Sequence, residues 1–166
     1  MLLSEALEAF ELSLKGIVAP ATQRGYTSVV RKLLQFLGDQ DIEAISITDL
    51  RRWRASLFDR ETRYADHPTR PKEDGGLSVW SIHNYLRGIH KFFSWLVEEE
   101  FLATNPAARL KLPDLPQEPP KDISRADMVR LVEAAQETSP RDYALVCFLA
   151  DTGCRVGGAA GLCLAD

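Results

Sequence analysis

Leu3, Leu7, Phe10 and Leu14 recur at intervals of three and four, which places them along one side of a 3.6-residue helix. That spacing predicts a first helix from about Ser4 to Lys15, stopped by Gly16. A second is expected from near Thr22 to Gly38. Its apolar face is Tyr26, Val29 or Val30, Leu33, Phe36 and Leu37, with Arg24, Thr27, Ser28, Arg31 and Lys32 lying mostly elsewhere. Thr48 is the expected N-cap of a third helix, with Asp49 in its first turn, Leu50, Trp53 and Leu57 inward, and Arg51, Arg52 and Arg54 outward. The fourth and longest starts at Ser78 and reaches about Glu99, with Val79, Ile82, Leu86, Ile89, Phe93 and Leu96 as the stripe it buries. Between the third and fourth, residues 59–76 combine two prolines, two glycines and mixed charge, and a mobile surface loop is expected there. No strand pattern occurs in this half of the chain.

The texture changes between Asn105-Pro106 and Pro119-Pro120, where five prolines fall within sixteen residues. Proline restricts φ and removes a donor, so this stretch predicts an extended, semi-stiff linker rather than a helix. Ser124 and Asp127 form a capping-box pattern that starts a further helix through about Gln136. Ser139-Pro140 opens another, from Arg141 to Asp151, with Tyr143, Leu145, Val146, Phe148 and Leu149 as its apolar content. Gly153 is its expected C-terminal turn, followed by a lone arginine, Arg155, and a second short helix.

At 166 residues and 45% hydrophobic content, the chain has room for one ordinary domain, or a small domain and part of another. No apolar run approaches the length of a membrane span, no signal peptide is visible, and a membrane partner is not expected. Cys147, Cys154 and Cys163 form no C-x-x-C pair, and an odd cluster of this kind reads as reduced thiols in a cytoplasmic protein.

The formal net charge is −4, which argues at first against a nucleic-acid partner. Its distribution is uneven. Residues 22–95 carry twelve Lys and Arg against nine Asp and Glu, together with all three histidines, whereas both flanks are acidic. A local patch matters more than the total for phosphate binding. On the polar face of the fourth helix stand Ser81, His83, Asn84, Arg87, His90, Lys91 and Ser94. Asn and Arg can read adenine and guanine edges in a major groove, and Lys and Ser suit phosphates. The same set would equally make a plain solvated helix surface. His83 and His90 share one face two turns apart but have no Cys or carboxylate nearby, so no metal is expected.

Several motifs resemble those of the tyrosine recombinases, the phage integrase and Xer-type DNA breaking and rejoining enzymes. Thr22-x-x-x-Tyr26 followed by Leu33-x-x-Phe36-Leu37 is similar to the opening of that family's SAM-like core-binding domain. Ser78-x-x-Ser81-Ile82 and Leu86-x-x-Ile89-His90-Lys91-Phe92-Phe93-Ser94-Trp95-Leu96 resemble its final helix. Phe101-Leu102-x-x-Asn105-Pro106-Ala107 resembles the exit into the linker, and Ile123-Ser124-x-x-Asp127 the entry to the catalytic domain. Thr152-Gly153-x-Arg155 with Gly161-Leu162 resembles the segment bearing the family's first catalytic arginine.

The resemblance implies an all-α chain: a four-helix core-binding domain at 1–103, a linker at 104–122, and the helical start of a catalytic domain at 123–166. It implies duplex DNA as partner, with a second copy or a full-length recombinase bound beside it on the DNA. Helices two and four would face the major groove through Thr22, Arg24, Thr27, Arg31, Ser81, His83, Asn84, Arg87, His90 and Lys91. Arg155 would be the catalytic residue, its planar guanidinium binding the non-bridging oxygens of the scissile phosphate without a metal or cofactor.

Two departures qualify this. The family usually has an acidic residue three positions after the arginine, and here Gly158 stands there, with Ala159 and Ala160 in place of leucines. Such a helix has poor propensity, so Arg155 is expected to be loosely held. The family's lysine, His-x-x-Arg pair, later His or Trp and nucleophilic tyrosine would all follow Asp166. Tyr26, Tyr64, Tyr85 and Tyr143 lie before Arg155 in unmatched contexts, so these 166 residues alone are expected to bind DNA and not to cleave it. Two rival expectations are a non-enzymatic truncated DNA-binding or interfering protein, and a helical protein-interaction module.

Overall fold

Four serines start four of the helices by the same local chemistry. Ser46, Ser78, Ser124 and Ser139 each accept a hydrogen bond on Oγ from the amide three residues on, at 3.3, 3.2, 3.1 and 3.1 Å. Each satisfies one of the amides that a helix start leaves without an intrahelical acceptor. A computed structural model of the protein describes residues 1–63, 71, 73–117 and 122–163. Its α-helices are α1 (Leu3–Leu14), α2 (Pro20–Leu37), α3 (Ile47–Phe58), α4 (Val79–Glu98), α5 (Arg125–Thr138), α6 (Pro140–Thr152) and α7 (Val156–Ala160), with a 3-10 turn at Ile42–Ala44. Among the described residues the fold is all-α apart from one two-residue antiparallel pairing, β1 (Thr62–Arg63) with β2 (Glu73–Asp74).

The chain divides into two compact units, Met1–Pro116 and Gln117–Asp166. In the first, α1, α2, α3 and α4 close around Phe10, Leu33, Leu50, Trp53, Ile82, Leu86, Ile89, Phe92, Phe93 and Leu96. Aromatic rings form the centre. Phe10 stands 5.3 Å from Phe92 and 5.1 Å from Trp95, and Trp95 stands 5.7 Å from Phe101, all tilted or edge-on, as ring quadrupoles favour. The start of α1 is tied down across the chain. Ser4 donates its amide and hydroxyl to Asp39 at 2.9 and 2.7 Å, and the Leu3 amide donates to the Gln40 carbonyl at 2.9 Å.

The second unit is an α5–α6 hairpin with α7 appended. Among its described residues only Ala135 is buried, while Val129, Leu131, Tyr143, Leu145 and Phe148 are exposed. Gly153 takes a left-handed φ of 60° and ends α6 as expected.

Several expectations need correction. α3 starts at Ser46 and not Thr48, because Ser46 and Asp49 cap one another reciprocally. α2 begins two residues early, at Pro20, whose fixed φ and missing amide suit a first helical position. Phe36 and Val79 are exposed rather than part of the apolar faces. The stretch after α4 is not simply extended: a turn joins Asn105 to Ala108, and Ala107 and Leu110 are buried in the first unit's core. Of the expected linker, residues 118–121 lie outside the described residues, as do 64–70 and 72 of the expected loop and 164–166 at the end. No helix among the described residues is long and apolar enough to cross a membrane.

Candidate nucleic-acid interface

α4 carries four rows of side chains, and each row meets something different. Ile82, Leu86, Ile89, Phe93 and Leu96 are buried in the core. Tyr85 and Gly88 face α2. A Cβ on Gly88 would lie 3.4 Å from Val29, and Lys32 Nζ lies 5.9 Å from the centre of the Tyr85 ring. His83, His90 and Ser94 face the outgoing chain. His83 Nδ1 donates to the Pro113 carbonyl at 3.1 Å, His90 Nε2 to the Leu110 carbonyl at 2.9 Å, and Asn105 Nδ2 to Ser94 Oγ at 3.2 Å. A carbonyl can only accept, so each of those ring nitrogens carries the proton.

The fourth row is open. Trp80, Asn84, Arg87 and Lys91, spaced by four, three and four, are all exposed. On the helix surface they fall between the row against α2 and the row against residues 105–113. Arg87 has no ion-pair partner among the described residues, and Lys91 has only a loose one. Lys91 Nζ reaches Glu98 at 4.0 Å, both partners well exposed, which is a weak attraction in water. On α2, half-buried Lys32 reaches the Tyr85 ring, and exposed Ser28 is the neighbour in sequence of Val29, which meets Gly88.

The residues expected to touch DNA are therefore divided. Asn84, Arg87 and Lys91 stand together on the open row, and Thr22 and Arg24 are exposed on α2. Thr27 is a correction. It is only 1% exposed, and its hydroxyl is turned to the Arg24 carbonyl at 3.4 Å. α2 is flanked by both α1 and α4, so its buried face is wider than a single stripe and takes in Thr27. Arg31 turns towards α1 and pairs with Glu11 at 2.8 Å. Ser81 is half-buried with its hydroxyl 2.9 Å from that of Ser78, and His83 and His90 are engaged by the outgoing chain. Trp80 extends the open row by one turn and is absent from the sequence-based set. Its signal is the interval of four before Asn84.

In the second unit, Arg155 is the exposed residue immediately before α7, and its side chain has no hydrogen-bond or ion-pair partner among the described residues. Gly158 has no side chain to hold it, although a Cβ there would meet no atom within 4 Å and so leaves room for one. Of the tyrosines, Tyr26 and Tyr85 are half-buried, and Tyr64 lies outside the described residues. Tyr143 is exposed, and its hydrogen bond with Cys147, one turn along α6, pushes the phenol above its ordinary pKa. Among the described residues no three His, Cys, Asp or Glu side chains gather as a metal site would need.

No protein-family model and no solved structure matches the chain. Its sequence does have relatives. It is 29% identical over 144 residues to tyrosine recombinase XerD of Vibrio vulnificus (strain YJ016), a match covering 84% of this chain and 42% of that protein. It is 33% identical over 96 residues to tyrosine recombinase XerD of Yersinia pestis, covering 56% of this chain and 32% of the relative. It is 25% identical over 153 residues to tyrosine recombinase XerC of Escherichia coli O1:K1 / APEC, covering 91% and 47%. The chain thus spans less than half the length of the relatives it matches.

Proposed function

The chain is a relative of the Xer tyrosine recombinases, and from that relationship we propose that its first unit binds duplex DNA through the open row of α4. The observation that carries this is the set Asn84, Arg87 and Lys91: exposed, on one side of one helix, with Arg87 unpaired among the described residues and Lys91 only weakly paired with Glu98. Asn84 and Arg87 have the donor geometry for base edges, and Lys91 that for a phosphate. Ser28 and Lys32 of α2 add contacts from the neighbouring helix. The first unit, Met1–Pro116, acts as the core-binding domain and 123–166 as the start of a catalytic domain, in a protein that carries out site-specific recombination. In that protein Arg155 binds the scissile phosphate and offsets the charge that builds on its oxygens as the bond breaks.

Titrating salt against binding of a fluorescent mixed-sequence duplex tests the proposal. Cation–phosphate contacts release counterions, so affinity should fall steeply as salt rises from about 50 to 200 mM. A chain that fails to bind at the low end would refute it.

A further inference from the structure

The part of the chain that leaves α4 is fastened to the first unit at four points. His90 donates to the Leu110 carbonyl at 2.9 Å, Arg54 Nη1 to the Lys111 carbonyl at 3.0 Å, and His83 to the Pro113 carbonyl at 3.1 Å. Asn105 bonds Ser94 Oγ at 3.2 Å, and its own Oδ1 accepts the Ala107 amide at 2.8 Å, shaping the turn. Between these points Ala107 and Leu110 are inserted into the core, at 0% and 3% exposure. Proline-bearing chain without a regular apolar pattern has no intrinsic reason to follow a helix surface. Two buried anchors and three donors reaching it from α3 and α4 supply that reason.

We propose that His83, His90 and Arg54 are positioning residues that clasp residues 105–113 and so shorten the free connection between the two units. An extended chain spans at most about 3.3–3.6 Å per residue. The ten residues 104–113, if free, would add on the order of 35 Å to the reach between the units. The clasp and the open row occupy alternate strips of one helix, so α4 both presents Asn84, Arg87 and Lys91 and sets where the chain departs. This inference does not rest on DNA being the ligand.

Trypsin digestion of the full folded chain, followed by mass spectrometry, tests it through two bonds inside the clasp, Arg109–Leu110 and Lys111–Leu112. Both should be cut slowly in the native protein. In His83→Ala/His90→Ala both should be cut at least tenfold faster, with cleavage elsewhere in the first unit unchanged. His90→Gln keeps an N–H donor and should retain most of the protection at Arg109–Leu110. Equal cutting of the native and double-variant proteins would overturn the clasp. So would acceleration spread evenly over the first unit, since that reports general unfolding, or His90→Gln behaving as His90→Ala does.

Discussion

Gly88 of α4 meets Val29 of α2 so closely that a single added carbon would stand 3.4 Å from three atoms of the valine side chain. The glycine sets how near the two helices lie, and with it the width of the surface that Lys32, Asn84, Arg87 and Lys91 share. The first prediction concerns this approach. Gly88→Ala should fold with stability within about 1 kcal/mol of the native protein, since better helix propensity offsets a tight but ordinary contact. Gly88→Leu forces the helices apart and should cost about 1–3 kcal/mol. Urea denaturation followed by far-UV circular dichroism would measure both, and an undisturbed Gly88→Leu would contradict the packing described.

The aromatic centre gives a second prediction. Phe92 is fully buried and touches Phe10, Phe93 and Trp95. Phe92→Ala should cost about 3–5 kcal/mol, from the transfer energy of the missing ring and the cavity left behind. A loss below about 1 kcal/mol in thermal unfolding would mean that the rings are not packed together as described.

Much of this framework is legible in the chain. The helices stand out because Ser78, Ser124 and Gly153 mark their ends and the apolar intervals are regular. What escapes depends on contacts distant in sequence. The polar face of α4 reads as uniform, yet His83 and His90 turn to carbonyls thirty and twenty residues on, which no periodicity reveals. Thr27 reads as surface because a lone helix has one buried side, whereas α2 is flanked on two, and the pairing of exposed Arg31 with Glu11 on α1 is likewise a contact between helices. Thr48 reads as a cap as readily as Ser46 does, because the reciprocal bonding of Ser46 with Asp49 is a matter of geometry. The second unit is legible as helices, but too little of it is buried for its side chains to define a site.

Acid should weaken the first unit in a defined window. The hydroxyl and amide of Ser4 hold the Asp39 carboxyl below its ordinary pKa, and those of Ser46 do the same for Asp49. A carboxylate depressed in the folded state contributes stability that is complete above the unfolded value of about 3.9 and disappears as pH falls through the folded value. Melting temperature should therefore decline below about pH 4. Ser4→Ala/Ser46→Ala should flatten that decline, and an unaltered acid limb would show the bonds to be absent in solution.

The second unit should be the weaker one. Only Ala135 is buried among its described residues, against a core of more than twenty side chains in the first. Little apolar area leaves the water, so little offsets the entropy of ordering its backbone. Hydrogen exchange should find the amides of α5 and α6 exchanging well before those of α4. Equal protection of the two units would refute this.

The open row of α4 is tested most directly by removing two cations there and two elsewhere, and comparing duplex affinity by fluorescence anisotropy at low salt. Arg87→Ala/Lys91→Ala and Lys15→Ala/Arg31→Ala change the net charge equally, and each pair includes one ion-paired cation, Lys91 loosely with Glu98 and Arg31 closely with Glu11. The first pair should weaken binding at least tenfold and lower the slope of log affinity against log salt by about 2, one for each phosphate no longer neutralised. The second pair should change affinity by less than about threefold. Equal losses from both pairs, or none from the first, would mean that DNA does not meet the protein along Asn84, Arg87 and Lys91.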